Sequence, residues 1–294
     1  MIVGQAKRYL RPATIAEAVQ ALKEANGLGR PLAGGTDIIV DVREGRRVVD
    51  VLVDVKAIPE LTMVDFDPAR GLRIGAAVPC FRLSEDAMLR RAYPGLIDAA
   101  SLIGGIQIQN RATLGGNLCT SSPAADSAPI LLALGATCVI AGPDGERRVP
   151  LDRFFVGPRR NILGESDLLI ALELPPPLPG AGSAYLRFIP RNEMDIAVVG
   201  AGVWLRVEGE TIVDARVGIG AVAPTPLLVD AASRALIGRP ATRETFEAAA
   251  AEARAAASPI TDMRGSAHQR RHLIGVMTRR AIERAVERAR EDQR

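Results

Sequence analysis

The sequence is poor in the residues that build metal centres and covalent cross-links. Its 294 residues contain only three cysteines, Cys80, Cys119 and Cys138, and none stands at the C-x-x-C spacing of a zinc or iron–sulfur ligand pair. His268 and His272 are four positions apart, but no carboxylate completes an H-E-x-x-H motif. We therefore expect no metal in this chain, and the absence of a disulfide pattern indicates a reducing, cytoplasmic compartment.

Aromatic residues and long apolar segments are also scarce. Aromatics make up 3% of the residues, which argues against a surface that stacks the bases of nucleic acid. The longest apolar stretch, 128–141, contains Pro129 and is too short to span a bilayer. The first residues lack the apolar run of a secretory signal. We therefore expect neither a membrane span nor a nucleic-acid partner.

The order of predicted elements indicates an α+β protein with three parts. Residues 1–58 are typical of a β-α-β unit, in which Thr14 and Glu17 form a capping box before an amphipathic helix. Residues 59–177 alternate strands and helices, with a helix capped by Ser84 and a glycine-rich, loop-like segment at 107–126.

The proline-rich stretch PPPLPGAG (175–182) predicts the boundary of a last domain, 178–294. Beyond it, three long alternating segments predict a three-stranded antiparallel sheet with short turns. Helices are predicted over 227–237, 242–256 and 268–290, the last with arginines on a solvated face. This part is therefore predicted to be a small sheet covered by helices.

Two glycine loops are candidate sites for a phosphate. In the first, 31–38, a strand turns through paired glycines into the start of a helix, which presents free backbone N–H groups. The second, TLGGN (113–117), is followed by two serines and Asp126. Neither matches the G-x-G-x-x-G fingerprint or the lysine-containing phosphate loop. The residues alone therefore indicate only a possible diphosphate site.

The motifs together resemble those of a known family. AGGTD (33–37), followed by NRATLGGNLCTSSPAADS (110–127), is similar to the paired FAD loops of the molybdenum hydroxylase flavoproteins, the xanthine dehydrogenase and carbon monoxide dehydrogenase type. The likeness continues through SAYLRF (183–188) and GAVAPTP (220–226) to the segment 258–281. It implies a two-part α/β FAD-binding domain of the vanillyl-alcohol-oxidase type before the C-terminal α+β domain.

The resemblance implies a cofactor, FAD, held by both loops. It assigns one side of the diphosphate to the first loop, residue by residue: Pro31, Leu32, Ala33, Gly34, Gly35, Thr36, Asp37 and Ile38. It assigns the opposite side to the second loop: Thr113, Leu114, Gly115, Gly116 and Asn117.

Four further positions receive roles by the same resemblance. Asp126 would bond the adenosine half of FAD, Ile103 and Leu169 would pack on the flavin, and Arg187 would lie near the isoalloxazine. Arg187 is a departure, because the family usually has lysine there. The family assigns no catalytic residue and no metal ligand to this chain.

Each assignment has a simpler alternative. The two aspartates of these sites are also suited to capping the helices that follow them. Ile103 and Leu169 are equally suited to the core. Arg187 on a strand is compatible with a solvated charge, and the two histidines with an exposed helix face.

The family implies an electron-transfer subunit. Its partners would be a large subunit with the molybdenum cofactor and a small subunit with two 2Fe–2S clusters, assembled as a dimer of heterotrimers. The substrate and the external acceptor (NAD, a quinone, a carrier protein or oxygen) stay open. The cysteine-rich insertion of benzoyl-CoA-reducing relatives is absent.

Two other functions are compatible with the residues. One is a self-sufficient FAD oxidoreductase of the same fold, like the UDP-N-acetylenolpyruvoylglucosamine reductases. The other is a non-enzymatic interaction module that uses the basic C-terminal helix.

Overall fold

The computed structural model describes residues 6–191 and 194–291. Two terminal segments lie outside the described residues. They are residues 1–5, part of the N-terminal stretch that lacks the apolar run of a secretory signal, and residues 292–294 of the last predicted domain. No helix in the described ranges has the length and apolar character needed to cross a membrane.

The N-terminal part is a β-α-β unit with a parallel three-stranded sheet in the order β1-β3-β2. Its elements are β1 (Arg8–Leu10), α1 (Ile15–Glu24), β2 (Gly29–Leu32), α2 (Ile38–Arg43) and β3 (Val51–Asp54). The predicted cap of α1 is confirmed, since the Thr14 hydroxyl accepts a hydrogen bond from the Glu17 N–H at 3.2 Å.

The second part is built on a five-stranded antiparallel sheet in the order β4-β5-β10-β6-β7. Its strands are β4 (Val64–Asp67), β5 (Gly71–Gly75), β6 (Thr137–Gly142), β7 (Gly145–Pro150), the separate hairpin β8 (Phe155–Gly157) and β9 (Arg160–Asn161), and β10 (Leu168–Leu174). Its helices are α3 (Pro59–Thr62), α4 (Cys80–Glu85), α5 (Ala87–Ala92), α6 (Pro94–Ala100), α7 (Ile106–Gln109), α8 (Leu114–Thr120) and α9 (Ser127–Ala133).

Two local predictions in this part are wrong. Ser84 lies inside α4 and donates to the Cys80 carbonyl, whereas Asp86 caps the next helix by accepting from the N–H groups of Met88 and Leu89. The segment 107–126 also contains a helix, α8, because the Thr113 hydroxyl caps it despite the two glycines in its first turn.

The C-terminal part confirms the three long antiparallel strands and adds two short ones. The long strands are β11 (Ala181–Phe188), β12 (Val199–Glu208) and β13 (Thr211–Gly220). The short strands β14 (Leu227–Leu228) and β15 (Arg239–Pro240) pair with opposite ends of β13. Three helices follow: α10 (Asp230–Leu236), α11 (Arg243–Ala256) and α12 (Ala267–Glu291).

Helix α12 packs its apolar face on this sheet and leaves both histidines exposed, as predicted. It also fastens the sheet to the second part of the chain. The Arg288 guanidinium donates to both carboxylate oxygens of Asp98, at 2.7 and 2.9 Å, and Asp98 also accepts from the N–H of Tyr185 in β11.

Glycines let helix α9 approach the C-terminal sheet closely. A Cβ atom at Gly202 would lie 2.4 Å from the Ile130 nitrogen, and one at Gly218 would lie 2.1 Å from the Pro129 carbonyl oxygen. Both contacts are with helix backbone, which a small side-chain movement cannot relieve. The glycines therefore fix the distance between the second and third parts.

We predict that Gly218→Ala lowers the free energy of unfolding by about 2 kcal/mol, because the added methyl group overpacks this contact. Urea denaturation followed by circular dichroism measures the change. Gly275→Ala in α12 is the matched control, since its added Cβ meets no atom closer than 3.5 Å. A Gly218 variant as stable as this control would contradict the packing described.

Candidate cofactor site

A cleft with a volume of about 480 Å³ lies between the N-terminal unit and the second part of the chain. This volume is within the usual range for small-molecule and cofactor sites, about 300–1,000 Å³. Both glycine loops line it. The predicted site residues that line this cleft are Pro31, Ala33, Gly34, Gly35, Thr36, Asp37, Ile38, Ile103, Thr113, Gly115, Gly116, Asn117 and Leu169.

The first loop is shaped by two glycines with different tasks. Gly35 has a φ of +80°, which side-chain-bearing residues rarely adopt. Gly34 has no room for a side chain, because its Cβ would lie 2.0 Å from the carbonyl oxygen of Arg111. The Arg111 Nε donates back to the Gly34 carbonyl at 3.3 Å. The first loop is therefore seated directly on the segment that leads into the second.

Asp37 joins the two loops. Its carboxylate makes no hydrogen bond to the start of α2, so the helix-cap alternative for this residue is wrong. Instead it accepts from the Thr120 hydroxyl, at the end of α8, at 3.2 Å. The side chain lines the cleft and connects its two walls.

The two glycines of the second loop also have different roles. A Cβ at Gly115 would lie 2.5 Å from the Ala76 carbonyl oxygen, so Gly115 serves packing. A Cβ at Gly116 would approach only the Thr113 hydroxyl, at 3.0 Å, and would otherwise occupy the cleft. The Asn117 side-chain oxygen accepts from the Ser127 hydroxyl at 2.6 Å, which fixes the orientation of its amide. Gly116 thus opens a space that a ligand can fill.

The apolar residues of the predicted site differ in where they lie. Ile103 and Leu169 belong to the buried core and also line the cleft, so the core interpretation is confirmed and packing on the flavin stays a prediction. Leu32 and Leu114 are buried and do not line it. Their side chains anchor the loops to the core.

Asp126 and Arg187 form a buried ion pair beside the cleft and are not among its lining residues. The Arg187 guanidinium donates to one Asp126 oxygen at 2.7 Å, and the Tyr185 hydroxyl donates to the other at 2.8 Å. The Arg187 side chain is 4% exposed, so it is not a solvated charge. Asp126 makes no cap hydrogen bond to α9, which excludes the capping alternative.

Burial dominates the electrostatics of this pair. It raises the pKa of Asp126 to about 6, against the opposing attraction of Arg187 and the hydrogen bond from Tyr185. The Nε of Arg187 is buried and has no hydrogen-bond partner among the described residues. Because the Asp126 and Arg187 side chains are in direct contact, both face the same part of any bound ligand.

Several charged residues line the cleft that the sequence did not indicate. Arg30 and Arg47 lie at one end, and burial, with repulsion from Arg47, lowers the pKa of Arg30. Two guanidinium groups suit an anionic ligand such as a diphosphate. The hairpin residues Arg159 and Asn161 also line the cleft. Arg30 directly precedes Pro31 of the first loop, so its place next to a predicted site residue could have indicated it. The sequence of the hairpin carries no comparable signal.

No three histidine, cysteine, aspartate or glutamate side chains converge as metal ligands anywhere in 6–191 or 194–291. The lining residues do fit FAD. Gly116 leaves a cradle that a Cβ would fill, it lies in the first turn of α8, where backbone N–H groups lack helical partners, and Arg30 and Arg47 are also in the lining.

Comparison with known proteins identifies the family. Residues 5–177 match the family described as FAD binding domain in molybdopterin dehydrogenase, and residues 184–285 match the CO dehydrogenase flavoprotein C-terminal domain. The chain is 34% identical to the xanthine dehydrogenase FAD-binding subunit of Escherichia coli O157:H7 over 95% of both chains. It is 32% identical to the carbon monoxide dehydrogenase medium chain of Hydrogenophaga pseudoflava, over 93% of this chain and 95% of the relative.

Solved structures agree with this assignment. A chain of carbon monoxide dehydrogenase from Hydrogenophaga pseudoflava superposes with a TM-score of 0.93 at 32% identity, covering 97% of this chain and 99% of that one. Quinoline 2-oxidoreductase from Pseudomonas putida 86 gives 0.90 at 28% identity, with the same coverage. This chain therefore belongs to the family of FAD-binding flavoprotein subunits of the xanthine and carbon monoxide dehydrogenases, and its cofactor is FAD.

We predict that Gly116→Ala weakens FAD binding by about tenfold while leaving the apoprotein as stable as the wild type. The methyl group enters the cleft, and overpacking costs about 1–3 kcal/mol. Fluorescence titration of the apoprotein with FAD measures the affinity.

Gly115→Ala is the matched comparison, and it should instead lower the apoprotein's unfolding temperature, because its methyl group meets Ala76. Unchanged FAD affinity in the Gly116 variant would remove the second loop from the site.

Proposed function

We propose that this chain is the electron-transfer subunit of a molybdenum-containing hydroxylase. It accepts electrons from the 2Fe–2S clusters of a small partner subunit and passes them to an external acceptor, while a large partner subunit carries the molybdenum cofactor and oxidises the substrate. We further propose a cytoplasmic dimer of heterotrimers. The three cysteines, which are all free, suit that compartment.

One observation carries this proposal. The chain matches nearly the whole length of relatives named as a subunit or a medium chain of a dehydrogenase. Such names describe parts of larger enzymes. The cleft adds support, because its described lining includes no histidine and no nucleophile–base pair that would process a substrate by itself.

The residues of the cleft have distinct tasks in this function. Backbone N–H groups of the loop at 33–37 and those at the start of α8 bind and orient the diphosphate. Ile103 and Leu169 pack on the isoalloxazine and exclude water from it. FAD, when bound, supplies the redox chemistry, and the protein controls its position and electrostatics.

We place the Asp126–Arg187 pair at the isoalloxazine rather than at the adenosine. Both Asp126 oxygens are engaged by protein donors, so this carboxylate acts through Arg187. Ser127, the next residue, holds the side chain of Asn117 in the cleft wall, which keeps the pair close to the site.

Complex formation tests the proposal directly. A tagged version of the chain, expressed in its native host, should co-purify with two further chains, bound molybdenum and the electron paramagnetic resonance signal of reduced 2Fe–2S clusters. Purification as a single polypeptide that oxidises NAD(P)H with its own substrate would contradict it and favour a self-sufficient flavoenzyme.

The charge of the buried pair gives a second prediction. Asp126→Asn leaves Arg187 uncompensated, so the positive charge should stabilise the reduced flavin and raise its midpoint potential by about 30 mV, equivalent to about 1.4 kcal/mol for two electrons. Adding Arg187→Met restores a neutral site and should return the potential to the wild-type value. Spectroelectrochemical titration of FAD-loaded protein measures it; a potential unmoved by Asp126→Asn would place the pair away from the flavin.

A further inference from the structure

The hairpin β8–β9 lines the cleft and contacts both glycine-loop helices. Its strands pair in the register Phe155↔Asn161 and Gly157↔Arg160, with Arg159 at the tip. Val156, Arg159 and Asn161 line the cleft from this side. The hairpin is therefore a third wall of the cofactor site, about forty residues beyond the second loop.

The first contact is an ion pair with the helix of the first loop. The Arg159 guanidinium donates to the Asp41 carboxylate in α2 at 2.7 Å. Asp41 is 8% exposed and Arg159 is 51% exposed, so one partner is fixed in the protein and the other reaches it from solvent. Asp41 also accepts from Arg46 at 3.3 Å, which holds its carboxylate in place.

The second contact is with the end of α8, the helix of the second loop. The Arg159 N–H donates to the Ser121 carbonyl at 2.8 Å. The Asn161 side-chain amide donates to the Cys119 carbonyl at 3.1 Å and to the Ser121 hydroxyl at 2.9 Å. The hairpin therefore supplies hydrogen-bond donors to carbonyl groups at the C-terminal end of α8.

The backbone at this contact is strained on both sides. Ser121 has a φ of +51° and Arg159 a φ of +57°, and both are residues for which the left-handed region is unfavourable. Two such residues joined by one hydrogen bond are held there by surrounding contacts, and strain of this kind concentrates at ligand clamps.

We infer that the β8–β9 hairpin is a clamp that retains FAD, with Arg159 as the positioning residue that closes it onto Asp41. The inference rests on the proposed placement of FAD in this cleft. With the ion pair and the α8 contacts made, the two loops are fixed relative to each other. Loss of the ion pair leaves the hairpin free to part from α2, which opens the exit from the cleft.

The rate of FAD release tests the clamp. Full-length holoprotein is diluted, and the rise in free-flavin fluorescence gives the dissociation rate. Arg159→Ala should release FAD about fivefold faster, in keeping with an ion pair worth about 1 kcal/mol. Asp41→Asn, which also removes the contact with Arg46, should release FAD at least as fast, and the double variant should release no faster than Asp41→Asn alone, because both substitutions remove the same Arg159–Asp41 ion pair.

Controls separate the clamp from general stability. Arg148→Ala removes an arginine of similar exposure that pairs with Glu173 at 3.0 Å outside the cleft, and its release rate should equal the wild type's. Arg159→Lys keeps the charge and should restore slow release. The apoprotein's unfolding temperature should be the same for Arg159→Ala and Arg148→Ala.

The clamp would be overturned if Arg159→Ala released FAD at the wild-type rate, or if the effects of the two substitutions on the release rate were additive in the double variant. If Gly116→Ala weakens FAD binding while Arg159→Ala does not, the cleft is the FAD site and only the clamp is wrong. If neither variant alters FAD binding, the placement of FAD itself fails.

Discussion

The cofactor site depends on two places where backbone meets backbone with no side chain between them. Gly34 abuts the Arg111 carbonyl, and Gly115 abuts the Ala76 carbonyl, at distances that leave no space for a Cβ atom. The first contact joins the parallel N-terminal unit to the antiparallel second part, and the other seats the second glycine loop within the second part. The cleft exists because they approach so closely, and Gly35 and Gly116 then shape its interior. A pair of glycines in each loop is thus required for two reasons, one of packing and one of ligand access.

Two ion pairs, the half-buried Asp98–Arg288 and the buried Asp126–Arg187, connect this arrangement to the C-terminal part. Asp98 and Arg288 fasten α12 to the second part, while Asp126 and Arg187 link the segment after α8 to β11. Removing one partner of a buried pair leaves an uncompensated charge, which costs more than the pair contributes. These pairs therefore fix the C-terminal sheet on the second part of the chain, with Arg187 against Asp126.

Local sequence patterns predicted the helices and strands that depend on local interactions. The Thr14 cap, the three long strands of the last sheet and the exposed face of α12 follow from capping and periodicity, which act within a few residues. Ser84 was misjudged because Asp86, two positions later, offers a stronger cap to the same helix. The short strands β14 and β15 have too few residues for a periodic pattern.

The site was predictable only in part for the same reason. The loops are contiguous in sequence and carry a family motif, so most of their residues were found. Direct pairing of Asp126 with Arg187 spans 61 positions, and that of Arg159 with Asp41 spans 118, so both arise from tertiary structure alone. A capping role was a reasonable expectation for Asp37 and Asp126, but each is engaged by a distant side chain instead.

The measurement that tests the account most directly is a crystal structure of the chain with FAD bound. We expect electron density for the diphosphate between the two loops, within hydrogen-bonding distance of backbone N–H groups at 34–37 and at Gly115, with the isoalloxazine against Ile103 and Leu169. Density for FAD elsewhere, for example in the groove beside Tyr93 and Trp204 between the second and third parts, would contradict the assignment of this cleft.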